Sequence, residues 1–169
     1  MISRFIGEYK EFSNFEPAQV RFENITFPTV EHAYVAAKSR DPKFRRDIAL
    51  MPANKAGLAK KWGRTTNLRS DWEKVKIEIM KELLLQKFAP KKPASKISIV
   101  TLSLHDLLLS TGDELLVEGN FWHDNFWGNC LCDKCMKIEG KNHLGLLLMK
   151  VREYYQLEEE GFKNLEMTS

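Results

Sequence analysis

The sequence predicts an α+β fold, a single mostly helical domain with a small β-sheet. Three observations lead to this prediction. Turn signals interrupt an aromatic-rich start over residues 1–27. Helix-capping residues stand before alanine-rich and leucine-rich runs from Thr29 onward. Apolar residues recur at helical spacing in two later segments, residues 72–84 and 144–151.

The first 27 residues are expected to form short strands and loops rather than a helix. Within them, the segment QVRFENITF suits a β-hairpin with Glu23-Asn24 near its turn. Thr29 suits the N-cap of a helix that runs to about Ser39, where Asp41-Pro42 ends it.

Further helices follow toward the C-terminus. One starts at Pro42, the next is stopped by Gly63, and Ser70-Asp71-Trp72-Glu73 is a capping-box pattern that opens the longest helix. Residues 97–112 are ambiguous between strand and helix at their start. ELLVEGN then suits a short strand, and the last helix follows Gly140.

The length of 169 residues fits one domain, residues 1–169, with a frayed tail from about residue 158. A net charge of +3 permits an anionic partner without requiring one. No apolar run approaches the ~20 residues that a membrane span needs, and the first residues lack the apolar core of a signal peptide. We therefore expect a cytoplasmic protein with no membrane partner, whose oligomeric state the sequence does not fix.

The three cysteines lie within six residues, as Cys130, Cys132 and Cys135. Their odd number and short spacing make a poor disulfide framework, so the thiols are expected to stay reduced. His123 or His143 can complete a tetrahedral zinc site with them, although the ligand spacing is compressed. The favoured interpretation is three packed thiols without a metal, and we expect no cofactor.

The helix after Thr29 carries Glu31 and Lys38, seven residues apart and therefore on nearly the same face. They lie about 10 Å apart along the axis, too far for an i,i+4 ion pair but suitably spaced for a sugar-sized ligand. Two interpretations are open: the charges complement the two ends of the helix dipole, or they face a pocket. Local physics alone favours the dipole. His32 points elsewhere and is expected to be structural or at the surface.

The segment Glu118–Gly128 places acidic residues between four aromatic side chains. A carboxylate such as Glu118 or Asp124 against aromatic surface is partly desolvated, which raises its pKa and suits it to protonate a leaving group. Aromatic rings also stack on nucleobases. The other interpretation is an aromatic core with turn-capping carboxylates. We favour the functional one because so many exposed aromatics are costly in a loop.

Other motifs narrow the choice of chemistry. Gly140-Lys141-Asn142 before a helix offers free backbone N–H groups to a phosphate. The motifs of serine hydrolases, zincins, P-loop proteins and Rossmann proteins are missing from the sequence, which argues against those classes.

Several separated motifs together resemble the NADAR family and keep its order over about residues 5–155. The matching pieces are Phe12-Ser13-Asn14-Phe15, FPTVEHAYVAAK, Gly63-Arg64, Trp72 with Glu73 and Lys76, Lys87-Phe88, LLLSTGDELLVEGN, Asp124 with Phe126-Trp127-Gly128, and GKNHLGLLLMKVRE. The resemblance implies an α+β fold that handles ribose 5-phosphate or ADP-ribose attached through an N-glycosidic bond. It implies one of two activities: cleavage of ribosylamine intermediates early in riboflavin biosynthesis, or removal of ADP-ribose from guanine in nucleic acid.

The resemblance also implies the site residues. The expected catalytic residues are Glu31, Lys38, Glu118 and Asp124. The expected substrate-binding residues are Asn14, Arg64, Trp72, Trp127, Gly128 and Asn142, of which Asn14 and Arg64 would bind sugar or phosphate and Trp127 would stack on the base or the ribose. A ribosylamine can open to an imine, whose C1 a lysine can trap as a Schiff base. Direct hydrolysis by a carboxylate pair is the alternative mechanism.

The sequence therefore predicts an N-glycosidase, with ADP-ribosylated guanine in DNA or RNA as the favoured substrate. Lys91, Lys92 and Lys96 lie in a segment longer than the family pattern, and their charge suits a phosphate backbone. The cysteine-containing loop likewise replaces a shorter glycine-rich link. A small ribosylamine 5-phosphate of riboflavin biosynthesis is the alternative substrate. A non-catalytic ADP-ribose-binding module is the alternative of another class.

Overall fold

The computed structural model describes residues 1–90 and 102–167, with side chains described as far as residue 161. Its contacts divide the chain into two compact units. We call Ile6–Lys87 the N-terminal unit, and Met1–Phe5 together with Phe88–Ser169 the C-terminal unit. Both contain helices and a short two-stranded sheet, which confirms the predicted α+β class.

The N-terminal unit is built around a hairpin and four α-helices. Its elements are a 3₁₀ helix Gly7–Phe12, strands β1 (Val20–Phe22) and β2 (Ile25–Phe27), and helices α1 (Val30–Ala37), α2 (Pro42–Ala49), α3 (Ala56–Trp62, after a 3₁₀ turn Ala53–Lys55) and α4 (Trp72–Lys87). β1 and β2 pair antiparallel, with Val20 opposite Phe27. Glu23 and Asn24 have positive φ angles of 43° and 66°, as a tight two-residue hairpin turn requires. The predicted hairpin is confirmed.

Helix α1 forms the centre of the N-terminal unit. The Thr29 hydroxyl accepts a hydrogen bond from the His32 backbone N–H at 3.2 Å, which confirms Thr29 as the N-cap. All eight residues of α1 are buried. The small side chains of Ala33, Ala36 and Ala37, which have no exposed surface, let the three other helices pack closely against it.

The C-terminal unit is organised around the last helix. Its elements are α5 (Leu104–Leu109), β3 (Gly119–Asn120), β4 (Asn129–Cys130), a 3₁₀ turn Asp133–Cys135 and α6 (His143–Met167). β3 and β4 pair in parallel. The predicted apolar face of α6 is buried and consists of Leu144, Leu147, Leu148 and Val151. Within the described ranges, no helix combines the length and apolar character needed to cross a bilayer.

Some predicted elements differ from the structure. The 3₁₀ helix Gly7–Phe12 lies where only strands and loops were expected. The longest described helix is α6 with 25 residues, whereas α4 has 16. Of ELLVEGN, only Gly119–Asn120 belongs to a strand, because its Leu116 forms a single bridge with Ile2.

Helix α6 continues to Met167, and the frayed tail expected from about residue 158 stays a prediction. Two contacts support this part of the helix. Tyr154 donates to the Glu158 carboxylate at 2.6 Å, and the Glu159 carboxylate lies 3.2 Å from Nε2 of His105. The ambiguous start of the segment 97–112 lies outside the described residues. The description of the whole chain as one domain stays a prediction.

Candidate active site

Lys38 lies at the C-cap of α1, with its amine against aromatic rings. Nζ is 5.5 Å from the ring centroid of Tyr34 and 6.0 Å from that of Trp72. The two rings contact each other with centroids 4.9 Å apart. A cation at this position complements the helix dipole. The Lys38 side chain is only partly exposed, however, and its amine also interacts with the two aromatic rings.

The surroundings of Lys38 favour its neutral form, mainly through burial. Burial lowers the pKa of Lys38, and although the Glu31 carboxylate opposes this, three neighbouring cations lower it further. These cations are Lys60, Arg64 and Lys76. A lysine whose pKa is depressed holds more of its amine in the nucleophilic neutral form at a given pH. The same cluster of positive charge suits a phosphate group.

Gly63 explains how Arg64 comes close to Lys38. A β-carbon at Gly63 would lie 3.0 and 3.1 Å from the two methyl groups of Val35, and 3.5 Å from Cδ of Lys38. The missing side chain therefore lets the end of α3 approach α1. Arg64 itself is exposed.

Glu31 and Asn14 are joined through the backbone. The Glu31 N–H donates to the Asn14 carbonyl at 3.0 Å, and both residues are buried. The Asn14 amide donates to Sδ of Met80 at 3.4 Å, while its own Oδ1 is buried and finds no hydrogen-bond partner among the described residues. Such an atom costs about 1–3 kcal/mol, and in a native structure it calls for a specific explanation.

His32 has a structural position, as predicted. Its ring is fully buried, and Nδ1 lies 2.8 Å from the Thr29 hydroxyl. Burial lowers the pKa of His32, so the imidazole is held neutral beside the N-cap.

The sequence interpretation did not name Tyr34, Lys60 or Lys87 as site residues. Tyr34 lies four residues before Lys38, so the i,i+4 rule for helices was a usable signal for that contact. Lys87 is buried at the end of α4 and donates to the Ser13 carbonyl at 2.7 Å. Burial lowers the pKa of Lys87 to about 8. Its position next to the Asn14 turn could not be obtained from local sequence, because 74 residues separate the two partners.

In the C-terminal unit, Asn120 and Asp124 shape the aromatic loop Phe121–Gly128. Oδ1 of Asn120 accepts from the backbone N–H groups of Trp122 and Asp124, each at 3.2 Å. Oδ1 of Asp124 accepts from the N–H groups of Phe126 and Trp127 at 3.1 and 2.8 Å. These are Asx turns. Asp124 thus stabilises a turn, and its catalytic role stays a prediction.

The other predicted residues of this unit surround Glu118. Asn142 accepts from the Glu118 N–H at 3.0 Å and donates to the Leu116 carbonyl at 2.8 Å. Gly128 is buried against the Glu118 backbone. Trp127 is half-buried, with its ring edge-on to Phe126 at a centroid distance of 5.1 Å. Asn142 and Gly128 therefore position Glu118, while Trp127 keeps part of its ring surface exposed.

The predicted site residues form two groups, one in each unit. The N-terminal group contains Asn14, Glu31, Lys38, Arg64 and Trp72. The C-terminal group contains Glu118, Asp124, Trp127, Gly128 and Asn142. The N-terminal group combines an amine of lowered pKa with a nearby carboxylate and several nearby cations. The roles of all ten residues stay predictions.

The NADAR domain family model matches residues 4–156. This chain belongs to the NADAR family. Its relatives include N-glycosidase Npun_R5314 of Nostoc punctiforme, 40% identical over 151 residues that cover 86% of this chain and 85% of the relative. N-glycosidase YbiA of Escherichia coli is 33% identical, over 89% of this chain and 84% of its own length.

The fold of this NADAR chain is also similar to a solved structure. The NMR structure of E. coli YbiA matches with a TM-score of 0.73 and 32% identity, over 94% of this chain and 87% of that one. The riboflavin biosynthesis protein PYRR, chloroplastic, of Zea mays is 35% identical over 83% of this chain but only 22% of its own length. These relatives confirm the predicted family, and they make the chain an enzyme of the N-glycosidase class.

Proposed function

We propose that this chain hydrolyses the N-glycosidic bond between ribose C1 of an ADP-ribosyl group and an amino nitrogen of guanine in nucleic acid. The observation that supports it most is the environment of Lys38: an amine with a lowered pKa, beside Glu31 and three further cations. An amine suits attack at an imine carbon, and the cations suit the phosphates of the substrate. The lysines at 91, 92 and 96 favour a nucleic-acid substrate by their charge, although they lie outside the described residues.

The proposed reaction begins when the ribosylamine opens to an imine between C1 and the base nitrogen. The neutral Lys38 amine adds to C1, and the Glu31 carboxylate passes the two amine protons in turn from the lysine nitrogen to the base nitrogen, so that the base leaves as its amine. Water then adds to C1 of the Lys38 Schiff base and releases ADP-ribose with its C1 aldehyde. The two protons of this water return to the lysine nitrogen through Glu31, which restores the Lys38 amine and the Glu31 carboxylate. Direct attack of water on C1, assisted by the Glu118 and Asp124 carboxylates, is the competing mechanism.

The test is to incubate the protein at micromolar concentration with an oligonucleotide that carries ADP-ribosylated guanine. Mass spectrometry should detect free ADP-ribose and the restored oligonucleotide. If wild-type protein releases none, the proposed substrate is wrong.

A second set of measurements tests the mechanism. Lys38→Ala should lower turnover by at least about 1,000-fold, as expected for loss of a nucleophile. The matched control is Lys74→Ala, which removes an exposed lysine of α4 and should keep wild-type turnover. Borohydride should trap a substrate-derived adduct on Lys38. A Lys38→Ala enzyme near wild-type activity would leave Lys38 as a helix-end cation only.

A second candidate substrate is a ribosylamine 5-phosphate of early riboflavin biosynthesis. The observation that favours it is the likeness to the maize protein named for that pathway. Both candidates join a phosphorylated ribose C1 to an amino nitrogen, so the same site chemistry serves either. Measuring kcat/KM for both substrates with the same preparation decides between them. The expected cytoplasmic location stays a prediction and rests on the sequence alone.

A further inference from the structure

Four potential metal ligands converge in the C-terminal unit. Nδ1 of His123 lies 3.3 Å from Sγ of Cys132, 3.3 Å from Sγ of Cys135 and 4.0 Å from Sγ of Cys130. All four ligand atoms lie within 4.8 Å of one another.

These separations agree with a tetrahedral site. Zinc binds thiolate sulfur at about 2.3 Å and imidazole nitrogen at about 2.0–2.1 Å, so the nitrogen–sulfur edges of a tetrahedron measure about 3.6 Å. The three observed nitrogen–sulfur distances lie on either side of this value. The four ligand atoms are therefore separated by about the distances that one zinc ion needs.

We propose that His123, Cys130, Cys132 and Cys135 bind one structural Zn²⁺ ion. Three thiolates and one imidazole are the soft, tetrahedral ligand set that favours zinc. Four protein ligands complete its coordination and leave no position for a substrate or a reactive water. The ion therefore holds structure and takes no part in bond cleavage.

The structure selects His123 rather than His143, which the sequence had left as an equal alternative. The His143 ring packs against Phe126 at a centroid distance of 4.5 Å and against Trp127 at 6.2 Å. His143 is absent from the cluster of converging ligands.

The local backbone holds the cysteines in place. Cys130 lies in β4, and its N–H donates to Oδ1 of Asn125 at 2.8 Å. Cys132 is the N-cap of the 3₁₀ turn Asp133–Cys135, and Cys135 is its last residue. The Cys135 N–H donates to the Cys132 carbonyl at 2.9 Å. A C-x-x-C pair on a tight turn is a common half of a structural zinc site.

His123 has a positive φ of 66°. For a residue with a side chain, this conformation costs roughly 1–3 kcal/mol and persists where its surroundings impose it. A bond from Nδ1 to a metal would offset this cost. Because His123 stands inside the aromatic loop Phe121–Gly128, the ion would tie this loop to the segment Cys130–Cys135.

The test measures metal in the purified full-length protein by inductively coupled plasma mass spectrometry, after expression with Zn²⁺ in the medium and dialysis. The wild type should contain about one zinc per chain. Cys132→Ser and His123→Asn should each retain less than about a tenth of that. The matched control is Asp133→Asn, an exposed residue between two ligands, which should keep the full content, as should His143→Asn.

Two results would overturn the proposal. One is a wild-type protein that contains no zinc and binds none when the reduced, metal-free chain is titrated with Zn²⁺. The other is His123→Asn protein that keeps wild-type zinc content and affinity, which would remove His123 from the ligand set.

A spectroscopic measurement on the wild type does not depend on the folding of any variant. Co²⁺ added to the reduced, metal-free protein should give the intense visible bands of tetrahedral cobalt and a thiolate charge-transfer band, and Zn²⁺ should abolish both. Spectra typical of octahedral Co²⁺, or no bands at all, would overturn the proposal.

Discussion

Replacing Gly128 with alanine is expected to destabilise the C-terminal unit, because the backbone leaves no space for a β-carbon. A Cβ at this position would lie 2.1 Å from the Glu118 carbonyl oxygen and 2.8 Å from Nδ2 of Asn120. Even close carbon–oxygen contacts measure about 3.3 Å. One of the two segments must therefore move by about 1 Å.

The expected loss of stability can be estimated from the contacts that this backbone movement would disturb. The Glu118 carbonyl accepts the Asn129 N–H at 2.9 Å, next to the short parallel pairing of β3 with β4. Overpacking costs about 1–3 kcal/mol, and a weakened backbone hydrogen bond adds about 1 kcal/mol. We expect Gly128→Ala to lower the free energy of unfolding by about 2–4 kcal/mol. At about 2–4 °C per kcal/mol for a chain of this size, Tm should fall by roughly 4–16 °C.

Thermal unfolding followed by circular dichroism measures this loss, and Gly57→Ala is the matched control. A Cβ at Gly57, inside α3, meets no atom within 4 Å. Alanine there should raise the free energy of unfolding by roughly 0.5–1 kcal/mol through helix propensity. If Gly128→Ala keeps the wild-type Tm and loses only activity, the steric reasoning is refuted. The predicted role of Gly128 in binding substrate would then be favoured.

Two further predictions concern lysine protonation. Arg64→Met and Lys76→Met should each raise the pKa of Lys38, because each removes a positive charge that now lowers it. The rise of kcat/KM with pH should then move to higher pH. If the pH profiles of both variants match that of the wild type, Lys38 is not the nucleophile whose titration controls the rate. Burial lowers the pKa of Lys87 from 10.5 to about 8. Between these two pH values Lys87 is mostly neutral in the folded chain and mostly protonated in the unfolded chain, so the free energy of unfolding should rise with pH over this range. Urea unfolding at several pH values measures this effect. Over this pH range the free energy of unfolding of the wild type should increase by about 3 kcal/mol more than that of Lys87→Met. The same dependence of unfolding free energy on pH in both proteins would contradict the prediction.

Local sequence signals correctly predicted those structural elements whose stability depends on neighbouring residues. The turn at Glu23-Asn24, the N-cap at Thr29 and the stop at Gly63 each depend on a few neighbouring residues. Contacts between distant residues give no such local signal, as with His105, which lies 54 residues from its partner Glu159 in the chain.

The sequence named candidate site residues but not the contacts that they make. The sequence named Lys38 and Trp72, yet nothing in it places a ring 34 residues away within 6.0 Å of the amine. The cysteines show the same limit. Their spacing appeared too compressed for a metal, and only the fold brings His123 within 3.3 Å of two of the sulfurs.

The two groups of predicted site residues differ in their effect on the stability of the fold. Asp124 and Asn142 use their side chains to satisfy backbone groups, so both contribute to stability as they stand. Lys38 and Asn14 instead carry costs, a partly buried amine with a depressed pKa and a buried oxygen without a described partner. Costs of this kind persist at sites where function requires them. We therefore propose that bond cleavage takes place at the N-terminal group. This assignment requires Lys38→Ala to lower kcat far more than Asp124→Asn does.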